Sequence, residues 1–192
     1  MKCLTFNCRG LANASKKLAL RRLFEIIPID IILLQETLGP ADIISESLNS
    51  MCLGWIFLAI DSTGRSGGLA IGYNPKSIKV TASWGGRGYM GIDFFSAELL
   101  TSLRVINIYG PCQQREQFWH QLLGLSILSK ENIIIGGDLN FSLGYGESWG
   151  SMAQVDSITG YMIDLLERHN LIDVPINNLY PLGRIKGWTM QP

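Results

Sequence analysis

A chain of 192 residues is long enough to bury one core and short for two, and 47% hydrophobic against 17% charged residues places it well away from compositions that stay disordered. Sixteen basic and sixteen acidic side chains cancel, which excludes a global positive field that would draw in a polyanion; any contact with nucleic acid has to come from a local patch. The longest apolar runs, such as residues 31–34 and 133–135, fall far short of the ~20 residues that cross a bilayer, and the start turns polar too early for a secretory signal, so an intracellular protein with no membrane partner is expected.

Residues 2–6 read as a short first strand. Ser15 reads as the N-cap of a helix over residues 16–27, where Leu20, Leu23, Phe24 and Ile27 recur at three- and four-residue spacing and Pro28 stops the run. Residues 30–35 are apolar on both faces and predict a central strand, and residues 41–51 a short helix. From residue 55 to residue 108 the character is β, with strand-like runs at 55–60, 68–73, 78–84, 94–100 and 103–108 separated by Gly, Pro, Asn or Ser. Residues 114–128 return to helical spacing, 132–135 form a buried strand, and 156–169 an amphipathic helix through Tyr161, Leu165 and Leu166. The alternation of sheet and helix predicts a layered α/β fold in one folding unit spanning 1–192. Cys3, Cys8, Cys52 and Cys112 form no C-x-x-C pair and have no histidine cluster nearby, so they read as buried, reduced thiols and not as structural zinc ligands.

The chemistry lies in where isolated polar residues fall. Asn7 follows the first strand, Glu36 the second, Tyr109 a later one, and Asp138 with Asn140 the run Ile133-Ile134-Ile135. Strand ends gather at a sheet edge, so these side chains can converge on a ligand above an apolar floor. A hard cation needs one or two carboxylates and keeps several waters. Glu36 supplies one carboxylate; Asp138 is either a second ligand or the group that orients or deprotonates a water. Asn7 and Asn140 offer uncharged amides to the metal shell, the water or a phosphate oxygen. Taken singly, each has a structural reading: Glu36 a solvated edge carboxylate, Asp138 a turn residue, Asn7 a turn cap, Tyr109 a packing aromatic. His120, within a helix, and His169, at a helix C-terminus, read as structural. Ser66-Gly67-Gly68 reads as a strand entry needing close backbone approach, and Arg9, Arg87 and Arg184 as surface charges open to a nucleic-acid backbone.

Five segments in order, Asn7-Cys8-Arg9-Gly10, Leu34-Gln35-Glu36-Thr37, Ser66-Gly67-Gly68-Leu69, Asn107-Ile108-Tyr109-Gly110-Pro111 and Gly137-Asp138-Leu139-Asn140, resemble the successive signatures of the endonuclease/exonuclease/phosphatase superfamily. More narrowly they resemble the apurinic-type endonuclease domain of plant LINE-type retrotransposons. The resemblance implies a two-sheet α/β sandwich flanked by helices, of the DNase I-like kind, and a Mg²⁺- or Mn²⁺-dependent hydrolase acting on DNA. It implies that Glu36 holds the metal with Asn7 beside it, that Tyr109 touches the scissile phosphate, and that Asp138 and Asn140 position the attacking water. A nuclear address follows from the DNA substrate, with a cytoplasmic one as the alternative. Two departures stand out: no Ser-Asp-His closes the series, the tail through Trp188-Thr189 only loosely matching the stretch that precedes it in relatives, and Cys112 stands where many relatives carry Asn. The fold is therefore expected to be incomplete at its C-terminus, with an open sheet edge available to a second copy or another protein. A non-catalytic binding module and a phosphatase acting on a small phosphorylated substrate are the alternatives.

Overall fold

The computed structural model describes residues 1–11, 13–63, 66–129, 132–144 and 156–174. They belong to two compact units, 1–140 and 141–192. The first contains β1 (Cys3–Asn7), α1 (Ala14–Ile26), β2 (Ile31–Gln35), α2 (Ala41–Met51), β3 (Ile56–Thr63), β4 (Ser66–Tyr73), β5 (Ile78–Gly86), β6 (Tyr89–Ser96), β7 (Thr101–Tyr109), α3 (Arg115–Gly124) and β8 (Ile133–Asp138). The second contains α4 (Thr159–Arg168), which buries Met162 and Leu165; the Thr159 hydroxyl donates to the Ser142 carbonyl at 2.9 Å. Arg184 and the Trp188-Thr189 tail lie outside the described residues.

Two mixed four-stranded sheets make up the first unit, in the orders β1-β2-β4-β3 and β5-β6-β7-β8. In each, one pair is parallel, β1 with β2 and β7 with β8, and the others antiparallel. The period-2 pattern of β2 explains the layering. Ile31 and Leu33 join Leu69, Ile71, Ile92, Phe94 and Val105 in a core between the sheets, while Ile32 and Leu34 join Leu20, Ile44 and Leu48 in a second core beneath α1 and α2. All five β2 residues are buried, as expected for a strand apolar on both faces. Burying each such side chain contributes about 1.5–3 kcal/mol, so β2 is the strand on which both layers depend.

Several local expectations change. The cap of α1 is Asn13, whose side-chain oxygen accepts from the Ser15 N–H at 2.8 Å, so Ser15 lies inside the first turn. The strand expected at 94–100 is β6, which begins at Tyr89. Arg87-Gly88 is a two-residue hairpin loop, with Gly88 at φ +81°, and residues 97–100 are the next turn, with Leu100 at φ +51°. The helix expected at 114–128 ends at Gly124, followed by Ser126 at φ +54°. Cys8 and Cys52 are buried, but Cys3 and Cys112 are exposed; all four are free. The Ser66-Gly67-Gly68 segment is a strand entry of the expected kind. Thr37 N–H donates to Gly68 O at 3.1 Å, and a Cβ on Gly68 would stand 2.4 Å from the Thr37 hydroxyl.

Candidate active site

The parallel pair of each sheet points its C-terminal ends the same way, and the chain leaves those ends through short, hydrogen-bonded turns. Cys8 N–H donates to Gln35 O at 3.0 Å and Gly10 N–H to Glu36 O at 2.7 Å, keeping the loop after β1 on the loop after β2. Gly110 N–H donates to Asp138 O at 2.8 Å, doing the same for β7 and β8. Arg9, Glu36, Leu38 and Asn140 all have φ between +46° and +54°. For residues with a Cβ this left-handed backbone carries strain of about 1 kcal/mol or more each, which persists only where surrounding bonds hold it. Gly137 at φ +142° is required at the end of β8, since a Cβ there would lie 1.9 Å from Ile108 O.

The turns bring Asn7, Glu36, Tyr109 and Asp138 together, all half-buried. Asn7 Nδ2 donates to Glu36 Oε1 at 2.7 Å and to Asp138 Oδ2 at 2.6 Å, so one amide joins carboxylates from opposite sheets. Asn7 Oδ1 accepts from Arg9 N–H at 3.1 Å, which orients the amide with its hydrogens toward the carboxylates. Asn7 thus holds two acidic side chains, Glu36 and Asp138, on one amide. Tyr109 lies beside them, and its phenol is pushed up to about 12, first by burial, then by the carboxylates of Glu36 and Asp138 and by Cys112. It is an O–H donor at neutral pH.

Asn140 sits differently from the other four. Its Nδ2 donates to Gly110 O at 2.5 Å and its carbonyl accepts from Arg115 at 3.0 Å, so it fastens the turn after β8 to the turn after β7. His120 is exposed on α3 and His169, the residue that ends α4, is exposed as well. Among the described residues no group of three or more His, Cys, Asp or Glu side chains converges. Two carboxylates held apart by a single neutral amide nevertheless suit a hard divalent cation, which takes few protein oxygens.

Sequence reasoning passed over a buried pair directly beneath these residues. Gln35 (1% exposed) and Asn107 (0%) meet across the two sheets, Gln35 Nε2 donating to Asn107 Oδ1 at 2.7 Å. The available signal was a lone amide on the core-facing side of an otherwise apolar strand, which has to find a partner.

The model of the endonuclease/exonuclease/phosphatase family matches residues 4–174. The chain belongs to the endonuclease/exonuclease/phosphatase family. Solved structures share its fold. The 3′ phosphatase NExo from Neisseria, bound to a product DNA hairpin, superposes with a TM-score of 0.64 at 18% identity, over 85% of this chain and 70% of that one. The endonuclease domain of TRAS1, a telomere-specific non-LTR retrotransposon, gives 0.62 at 14% identity, over 87% and 71%. TDP2 of D. rerio, complexed with a single-strand DNA product, gives 0.57 at 16% identity; the chain is covered to 72% and spans 60% of that protein's length. No curated protein matches in sequence. The two mixed four-stranded sheets with flanking helices are the sandwich of this endonuclease/exonuclease/phosphatase, DNase I-like fold.

Proposed function

We propose that this family member is a Mg²⁺- or Mn²⁺-dependent phosphodiesterase acting on DNA, of the endonuclease type found in non-LTR retrotransposons. The observation that carries the reading is the Asn7 amide bridging Glu36 and Asp138, with the Tyr109 phenol beside these carboxylates, at the strand ends of a family fold. Glu36, supported by Asp138, is the residue that holds the metal, which supplies Lewis-acid polarisation of a phosphoryl oxygen and offsets charge developing there.

The chain's own groups do the rest. Asn7 orients both carboxylates without adding charge. Tyr109, fully protonated at neutral pH, donates to a phosphate oxygen as negative charge accumulates on it. Asp138, held by the neutral Asn7 amide, accepts a proton from the attacking water or aligns it. Asn140 and Gly110 hold the turn that carries Asp138.

Supercoiled plasmid with Mg²⁺ tests the proposal. The wild type is expected to nick it, and the Glu36→Gln, Asp138→Asn double variant to lose at least 10²-fold, the range set by oriented acid–base and electrostatic groups. Equal nicking by both would sink the assignment. A second reading, dephosphorylation of a DNA end, draws on the likeness to a 3′ phosphatase; release of phosphate from a 3′-phosphorylated oligonucleotide without plasmid nicking would favour it. A binding module without turnover would take up metal and do neither.

A further inference from the structure

The bonds of Asn107 fix the orientation of both amides in the buried pair. Its Nδ2 faces Leu34 O at 2.9 Å and Ala70 O at 3.0 Å, two carbonyls that only accept, so its Oδ1 must point the other way, to the Gln35 amide nitrogen. Gln35 Nε2 also lies 3.0 Å from Leu33 O and 3.1 Å from the Thr5 hydroxyl. The pair therefore ties β1, β2 and β4 of one sheet to β7 of the other. It does so one residue before Glu36 and two before Asn7 and Tyr109. Asn107 is paired in register with Gly136, two residues before Asp138, and there β8 comes so close to the facing sheet that a Cβ on Gly136 would stand 2.8 Å from Leu33 Cδ1.

Leucines filling the same volume would pack without the cost of desolvating two amides, but apolar contact is non-directional and sets no fixed distance. A hydrogen bond of 2.7 Å with both partners anchored to backbone does. We infer that Gln35 and Asn107 are positioning residues: their bond sets the spacing between the two sheets at the level of the site, and so the separation at which Asn7 can hold Glu36 and Asp138 together. The metal arm of the test rests on the proposed function; the structural arm does not.

The test is a Gln35→Met, Asn107→Leu double variant of the full chain, which removes both polar partners while keeping volume. Its melting temperature should fall by several degrees while the melt stays cooperative, because the Leu33, Leu34 and Ala70 carbonyls lose a side-chain donor. Its crystal structure should show at least one of the two Asn7 bonds opened beyond 3.5 Å, and its affinity for Mn²⁺ by calorimetry should fall tenfold or more, as for residues that orient metal ligands. A crystal structure with both Asn7 bonds intact overturns the inference, as does Mn²⁺ affinity within twofold of the wild type. Should the wild type bind no Mn²⁺, the functional proposal fails and the crystal structure alone decides the positioning role. If the double variant does not fold, Gln35→Met alone, which keeps Asn107 on its two carbonyls, is read in the same way.

Discussion

Tyr109 keeps its proton far above neutrality because its ring is partly withdrawn from water and its neighbours are carboxylates. The folded value is raised from 10.0 to about 12, so the unfolded chain releases this proton first. The associated stability is complete below pH 10 and is lost as pH rises toward 12. Tyr109→Phe should therefore flatten the decline in stability between pH 10 and 12 in denaturant titrations, and lower cleavage at pH 7 by about 10²-fold through loss of one oriented donor. An unchanged alkaline profile would show that burial and the neighbouring carboxylates do not hold the proton on the phenol. Asn7, Glu36, Tyr109, Asp138 and Asn140 were all legible as polar residues placed directly after apolar strands. What each amide does was not, because a one-dimensional pattern does not say which way an amide turns. Asn7 gives its hydrogens to two carboxylates and Asn140 gives its own to Gly110. Gln35 and Asn107 were passed over because their partners lie 72 positions apart in the chain.

Among the elements, β2 and β4 were readable from the apolar runs Ile31–Leu34 and Leu69–Ile71, and α2 from Ile44, Leu48 and Met51 at three- and four-residue spacing. β6 was not, because Gly85, Gly86, Gly88 and Gly91 surround its start and glycine lowers any strand signal. These glycines make room for aromatic rings: a Cβ on Gly91 would meet Trp84 at 2.3 Å, and one on Gly86 the Tyr89 ring at 2.6 Å. At α1 two neighbouring cap candidates compete, and the chosen one is decided by two residues of register. Asn13→Ala should cost about 1 kcal/mol, seen as a fall of about 2–4 °C in Tm, while Ser15→Ala stays within about 0.5 kcal/mol. The reverse order would place the cap at Ser15.

At the scale of the whole molecule, sixteen positive charges balance sixteen negative ones. A DNA-binding surface here is expected to neutralise few phosphates, and log K against log salt should fall with a slope shallower than about −4, at about −0.9 per phosphate contacted. A slope of about −6 or steeper would reveal a cationic track that the balanced composition conceals. The fold was legible as a whole because five short segments stand in one order along the chain; hydrogen bonds join Asn7, Glu36 and Asp138, with Tyr109 beside them, at the mouth between two sheets. That mouth is claimed to be a divalent-cation site, and calorimetric titration with Mn²⁺ measures the claim without any substrate. The wild type should bind the ion at a single site and the equally folded Glu36→Gln, Asp138→Asn variant should not; the same binding isotherm from both proteins would contradict the account.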